Sequence, residues 1–391
     1  MSQLLESRWS ETKEALLEGL QGNKRSVMAT TLENTRKYLA ESATAGATSA
    51  GNVATLNRVI LPVIRRVMPT VIANELVGVQ PMTGPVGQIH TLRVRYSDTF
   101  SATAGLGGDT TAGEEALSPF KIAEGYSGAV TAKAAATAAL EGVAGNKLSI
   151  QILKQTVEAK TRKLSARWTF EAAQDAQAQQ GIDIEAEIMA ALAQEITAEI
   201  DQEVLRSLSS LSATVLTYDQ AAVSGTATFV GDEHAALAVQ INRAANLIAQ
   251  RTRRGAGNFA VVSPTTLTLL QSATTSAFAR TTEGTFESPT NTKFVGTLNS
   301  AMKVYVNTYA ESDDVLVGYK GSSESDAAAF YCPYIPLMSS GVVLDPTTFE
   351  PVVSFMTRYG YVELTNTASS LGNAADYLAK VAVTTANLRF A

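Results

Sequence analysis

The strongest periodic signal lies in residues 183–211. Ile184, Ile188, Leu192, Ile196, Ile200, Val204 and Leu208 recur every four positions. This predicts a helix whose apolar stripe drifts by about 40° per step, because an α-helix closes a turn every 3.6 residues. The stripe therefore passes around most of the helix, and different surfaces must cover its two ends. At 1.5 Å per residue the helix is ~40 Å long. Glu185, Glu187, Glu195, Glu199, Asp201 and Glu203 fill the other faces and read as a solvated side. A second helix is expected with Asp232 as N-cap, Glu233 in its first turn, and Ile241, Ala245 and Ile248 inward. It stops near Arg251, where Arg253, Arg254, Gly255 and Gly257 supply terminal cations and glycines. Residues 1–41 read as helical too, with Leu5, Trp9, Leu16 and Leu20 on one stripe and Met28, Leu32 and Leu39 on another. The small polar stretch 42–52 reads as a linker.

Period-two patterns predict strands elsewhere. In 89–96, His90, Leu92, Val94 and Tyr96 face one way and Thr91, Arg93 and Arg95 the other. Residues 97–148 are rich in Gly, Ala and Thr, with no Trp and little periodicity. Such a length exceeds a simple connection, so it is either disordered or an excursion that packs outside its own domain. Alternation resumes at Ile150. Lys154, Glu158, Lys160 and Arg162 share one parity against Leu153, Val157 and Ala159. After Lys163 the parity flips to Leu164, Ala166, Trp168 and Phe170. A flip means a bulge, or one strand whose halves bury opposite faces. Strands are also expected at 259–262, 303–307, 315–318, 330–344 and 352–364, with a short helix after Pro264. The mixture is α+β.

With 391 residues the chain can hold two or three domains. Charged residues make up 17%, well under the usual quarter, so much neutral surface must be hidden in a core or against further copies. The net charge of −6 argues against an extended nucleic-acid-binding face. Cys332 is the single cysteine, so no intrachain disulfide forms, as in a protein folded under reducing conditions. The first 25 residues mix charges of both signs and are no signal peptide. The apolar run 53–79 is broken by Arg58, Arg65, Arg66, Pro62 and Pro69 and is no membrane span.

Catalytic and cofactor constellations are missing. His90 and His234 lie far apart and offer little for acid–base work. Asp232-Glu233-His234 reads as a helix start rather than a metal site. The 321–325 stretch lacks the closing glycine of a nucleophile elbow. Gly105-Leu106-Gly107-Gly108 precedes no helical pattern, so it is no dinucleotide fingerprint. Cys332, between Tyr331 and Pro333, reads as a packed thiol. No cofactor, metal or catalytic residue is assigned.

One stretch carries more. Gly78-Val79-Gln80-Pro81-Met82-Thr83-Gly84-Pro85 holds two prolines and two glycines with no nucleophile or phosphate cradle, so it fixes geometry. It resembles a signature of the major capsid proteins of T-even-like tailed phages. Further blocks resemble the same family in order: Leu32-Glu33-Asn34 followed by Leu39-Ala40-Glu41; 63–69 (VIRRVMP); 154–164 (KQTVEAKTRKL); Ala173-Gln174-Asp175 with the helix to Val204; the turn 252–259; 317–321; Tyr331 with Pro333-Tyr334; and Thr357-Arg358-Tyr359-Gly360. They span residues 32–360.

The resemblance implies an HK97-like capsid fold. Its parts would be an N-terminal helical segment (1–41), an N-arm (42–88), an E-loop with flanking strands (89–165), a peripheral domain (166–235 and 345–391) with spine helix 183–211, and an axial domain (236–344). It implies a structural subunit, not an enzyme, that assembles with itself into hexamers and an icosahedral shell around double-stranded DNA. Vertex, portal, scaffold and decoration proteins are the implied partners, and the virion is the implied location. DNA would be held without sequence-specific binding and no membrane is involved. Glu41/Ser42 is the implied protease cut, since family sites place Leu or Ile two residues before Glu. Arg251, Arg253, Arg254, Gly255 and Gly257 become candidate axial-tip residues, where copies meet around a hexamer; a basic, glycine-rich tip could also line a pore or touch a phosphate. The chain lacks room for the large insertion that typical members carry near the E-loop. The alternatives are a vertex (pentamer) paralogue, a cellular nanocompartment on the same fold, and a soluble enzyme with an unrecognised carboxylate site.

Overall fold

The computed structural model describes residues 9, 13–14, 16–18, 20–44, 72–102, 108–114, 116, 123–131, 133–180, 183–212, 214–223, 230–252, 254–273, 278–280, 292–299, 301–323, 326–348, 350–364 and 374–388. The N-terminal helical run is broken before Gly22, whose φ of +62° suits a residue without Cβ. Helix α1 (Gly22–Thr44) follows. A single turn (Ala73–Leu76) leads into strand β1 (Gly78–Val79). β2 (Val86–Tyr96) and β3 (Leu148–Glu158) form a hairpin, and β4 (Lys160–Arg167) continues from it. Helices α2 (Phe170–Gln180) and α3 (Ile184–Leu211) come next. β5 (Thr214–Tyr218) precedes α4 (Val230–Thr252), β6 (Phe259–Val262) and α5 (Pro264–Ser272). Then come β7 (Phe278–Arg280), β8 (Thr292–Leu298), β9 (Met302–Asn307) and β10 (Val315–Gly318). β11 (Ala329–Ser339), β12 (Val343–Leu344), β13 (Pro351–Glu363) and β14 (Leu378–Val383) complete the strands.

These strands form two main sheets. One has five strands, with β11 beside β13, β1 parallel to β11, and β4 and β12 on β13. The other has seven in the order β5-β14-β10-β6-β9-β8-β7. The expected 330–344 strand splits because Gly341, at φ +70°, turns the chain between β11 and β12. The sheets do not follow the expected divide at 344/345. β11 pairs with β13, whereas β5 and β14, expected on the peripheral side, lie in the seven-stranded sheet.

Helix α3 shows why its stripe drifts. Ile196, Ile200, Val204 and Leu208 share one core with Tyr331 and Phe355 of the five-stranded sheet and with Phe259, Val261 and Leu316 of the seven-stranded one. The helix is thus the beam between two sheets. The other face of the seven-stranded sheet packs on α4 and α5 through Leu237, Ile241, Ile248 and Leu269. β6 and β10 are buried on both faces, which accounts for their unbroken apolar runs. Helix α1 joins the main core as well, with Val27, Met28 and Leu32 all nearly inaccessible.

Three readings change. Asp183, not a helical residue, caps α3: its side chain accepts from the Glu185 N–H. Asp201, assigned to the solvated side, is fully buried and accepts the Ile72 N–H at 2.8 Å. Helix α4 begins before Asp232, so Asp232 stands in the first turn rather than at the cap. Glu233 and His234 turn inward there. Glu233 accepts from Gln220 Nε2 at 2.7 Å and His234 Nδ1 lies 2.5 Å from Ser272 Oγ.

Candidate assembly surface

The 78–85 segment holds the base of the hairpin. Gln80 N donates to Tyr331 O and Met82 N to Pro333 O, each at 3.0 Å, so the segment prolongs the edge of the five-stranded sheet. Asn34 Nδ2 on α1 donates to Met82 O at 2.6 Å. The Met82 side chain is buried with Val157, Phe330 and Cys332 on the sheet face opposite α3. Ala159 N donates to Pro85 O, and there the chain passes from hairpin to sheet. Gly360 makes the crossing possible, because a Cβ there would lie 2.4 Å from Val157 Cγ1. The parity flip expected after Lys163 falls instead at this junction. Arg162 therefore joins Leu164 and Ala166 on the inner side of β4.

Beyond the base, β2 and β3 pair without interruption from Val86↔Glu158 to Tyr96↔Leu148. Eleven residues per strand make an arm ~35 Å long. Its tip has a small core of its own, Tyr96, Phe100, Ala116 and Tyr126, with the Tyr126 hydroxyl donating to Lys147 O at 2.6 Å. Among the described residues, only those of the arm contribute to that cluster. Along one face of β3 the stripe Leu148, Ile150 and Ile152 is 53%, 69% and 67% exposed. Large aliphatic side chains alternating with Ser149 and Gln151 on a projecting arm are what a buried strand carries, yet these stand exposed among the described residues.

A polar cluster lies where α3 meets β4 and β13. Arg162 donates to Tyr359 OH at 2.5 Å and to Glu199 Oε2 at 2.8 Å, and it pairs closely with Glu203. The Tyr359 hydroxyl also donates to Glu203. Burial alone would raise the Glu203 carboxyl, but the Tyr359 hydroxyl and the Arg162 guanidinium outweigh it and hold it below its ordinary value. Beside them Ser207 Oγ donates to Glu363 Oε1 at 2.6 Å. Every carboxylate here has a structural partner, so the cluster orients α3 on the sheet. Among the described residues no group of three or more His, Cys, Asp or Glu is placed to hold a metal ion.

The family model for Major capsid protein Gp23 matches residues 53–383. The chain belongs to the Gp23 family of major capsid proteins. It is 31% identical to the major capsid protein of Vibrio phage KVP40, over 85% of this chain and 82% of that one. It is likewise 31% identical to the major capsid protein of Enterobacteria phage T4, over 83% of this chain and 78% of that one. A chain of the solved capsid of Myoviridae Phage XM1 aligns at TM-score 0.45 and 11% identity, covering 80% of this chain and 92% of that one. The KVP40 alignment runs over 421 positions, more than this chain's 391 residues, so the relative carries insertions that this chain lacks. As a Gp23-family member the chain is a structural subunit of a tailed-phage head shell, not an enzyme, and its place is the virion. No described helix is long and apolar enough to cross a membrane.

In this Gp23-family chain Glu41 and Ser42 fall in the last turn of α1. Arg251 lies in the last turn of α4, half-buried, and Arg254 is exposed and pairs with Asp326. Arg253 lies outside the described residues, as do Leu5, Arg58, Arg65 and Arg66. Gly255 and Gly257 sit where a Cβ would meet the Tyr319 ring at 2.6 Å and Val317 Cγ1 at 2.8 Å, so this turn is clamped onto β10. His90 is exposed on β2, opposite Lys154 of β3. Burial pushes the Cys332 thiol up to about 11, as expected of a packed rather than reactive cysteine. Sequence reasoning missed the Leu148–Ile150–Ile152 stripe. Its alternation begins inside the segment read as non-periodic, and only the pairing with β2 reveals it.

Proposed function

We propose that this subunit forms hexameric capsomers, which join into an icosahedral shell enclosing double-stranded DNA held without sequence-specific contacts. The uncovered stripe on the arm carries this reading. A projecting strand pair with an aliphatic face is completed by a neighbouring copy, and unlike patches in head-to-tail contact close into rings. Each contact is modest, but a subunit meets several neighbours at once and avidity stabilises the assembly. Residues 42–88 serve as the N-arm and 89–165 as the E-loop with its flanking strands. The five-stranded sheet with α3 serves as the peripheral domain, and the seven-stranded sheet with α4 and α5 as the axial domain of an HK97-like fold. The clamped turn at Gly255 and Gly257, together with Arg251, Arg253 and Arg254 before it in the sequence, is the proposed contact of axial domains around the ring.

Vertex, portal, scaffold and decoration proteins are the further partners in this reading, and Glu41/Ser42 is the proposed cut. The burial of Val27, Met28 and Leu32 bears on that cut. Excision of 1–41 would uncover the core around Leu76 and Tyr331, so it belongs after assembly, when neighbours can cover the face. Negative-stain microscopy of the expressed protein tests the proposal. Hexamers, tubes or shells are expected, and a stable monomer at high concentration would overturn it. Copy number in the particle separates the two shell roles: hundreds for the hexamer subunit, about sixty for a vertex subunit.

A further inference from the structure

Asp201 is the residue of α3 that its surroundings explain least. It is fully buried. Its Oδ1 accepts the Ile72 N–H at 2.8 Å, while Oδ2 has no partner among the described residues. Ile72 opens the turn Ala73–Leu76, which ties the preceding segment to β1. Glu75 N and Leu76 N both donate back to Ile72 O, at 2.9 and 3.2 Å. One carboxylate therefore holds the end of the N-terminal arm on the beam between the sheets. An asparagine would make the same hydrogen bond without ionising, so an aspartate adds a proton-dependent state to this joint.

Among the described residues the surrounding charges leave that state uncompensated. On the turn, Glu75 is engaged by Lys24 of α1 at 2.7 Å and Lys303 of β9 at 3.7 Å. From the sheet, Asp201 faces Tyr331, whose buried phenol is pushed far up and stays neutral, with Tyr359 beside it. Along α3, Glu203 is taken by Arg162 and Tyr359. Among the described residues no lysine or arginine pairs with Asp201. An ionised Asp201 would thus be a buried charge with a single backbone donor.

We propose that Asp201 is a proton-operated latch for the N-terminal arm: protonated, it seats the Ile72–Leu76 turn on α3, and ionised, it loosens that joint. Burial raises its carboxyl to about 7, against the one backbone hydrogen bond that lowers it. A carboxyl raised in the folded state contributes its full stabilisation below the ordinary value near 3.8, and that contribution is lost as pH rises through about 7. The turn is therefore held tightly in mild acid and loosened toward alkaline pH. The meaning of this release for assembly rests on the reading of 42–88 as an intersubunit arm; the latch itself does not.

Hydrogen–deuterium exchange on the full chain tests it, with protection of the 72–80 peptide corrected for intrinsic exchange between about pH 5 and 8.5. In the unmodified protein, protection should fall about tenfold per pH unit up to about 7 and then level. Peptides from α4 and β10 should stay constant. In Asp201→Asn the 72–80 peptide should lose this dependence. A flat profile in the unmodified protein, or the same fall in Asp201→Asn, overturns the latch. If the variant does not fold, the unmodified protein's profile against its own α4 peptides decides alone. Particle formation, scored separately, shows whether the arm reading fails while the latch survives.

Discussion

Gln202 and Asn307 clasp each other with two side-chain hydrogen bonds. Gln202 Nε2 donates to Asn307 Oδ1 at 2.9 Å, and Asn307 Nδ2 donates back to Gln202 Oε1 at 3.3 Å. Asn307 Oδ1 also accepts the Tyr309 N–H at 3.1 Å. The clasp joins α3 to the end of β9 at the mouth of a cleft of about 270 Å³, so it fixes the seven-stranded sheet against the helical beam. Asn307 is buried, and Asn307→Ala strands the Gln202 amide. The expected cost is about 1–3 kcal/mol, read as a lower urea midpoint with an unchanged slope. The neighbouring Arg206–Glu311 pair is 70% and 75% exposed. Arg206→Ala should shift the same midpoint by less than about 0.5 kcal/mol.

Ile196 tests the beam itself. It is 1% exposed and packs in the core common to both sheets. Ile196→Asp places a carboxylate where no partner reaches it, a loss of at least about 4 kcal/mol and a large part of a typical domain's stability. The expected result is an insoluble or molten subunit by circular dichroism and no particles by microscopy. A soluble, particle-forming variant would show that this face is not buried.

How much of this was legible in the sequence depended on what fixes each element. The spacing of Ile196, Ile200, Val204 and Leu208 announced α3, and the drift of their stripe announced two burial surfaces, because helix geometry alone dictates both. Asp201 was misread because it was grouped by charge with the glutamates, although on the helical wheel it lies within about 40° of the buried Thr197, Leu205 and Leu208, and Glu187 is the one glutamate in that sector. Only the approach of Ile72, 129 residues away, puts a backbone donor there. Arg162 was misread for a similar reason. Its parity matched Lys160 and Glu158 until the strand changed partners at Ala159, and that change is a tertiary event. The partition of β5 and β14 into the seven-stranded sheet was equally hidden, since long-range pairing leaves no local signal. Among the assembly features, the 78–85 segment was read correctly as a geometric brace from its prolines and glycines. The aliphatic stripe on β3 needed its cross-strand partners to be seen.

Arg162 predicts a pH dependence. Glu203 is held below its ordinary value once the Tyr359 hydroxyl and Arg162 overcome burial. A carboxyl depressed in the folded state contributes stability that is present above its unfolded value near 4.5 and is lost as pH falls through the folded value. Arg162→Gln keeps a donor to Tyr359 but removes the cation, so part of that acid-sensitive stability disappears. The difference in urea midpoint between the variant and the unmodified protein should be largest near neutral pH and should shrink below about pH 4. A difference that stays constant across that range would mean that Arg162 acts by packing alone.

The arm separates folding from assembly. Ile150 and Ile152 are 69% and 67% exposed in the subunit, and neither belongs to any of its cores. Replacing both, Ile150→Asp with Ile152→Asp, removes apolar surface exposed in the subunit and puts two charges in the proposed contact. Subunit stability should change by less than about 1 kcal/mol, since exposed strand positions tolerate polar residues. Assembly should fail, because each desolvated carboxylate opposes every arm contact in the shell and the penalty repeats around the ring. Deleting residues 105–145 while keeping the hairpin should likewise leave a folded subunit that does not assemble. Sedimentation separates the outcomes. A folded, low-mass species in both variants supports the arm as the intersubunit reach, whereas normal particles from the double variant would mean that the stripe faces solvent in the shell and that assembly runs through another surface.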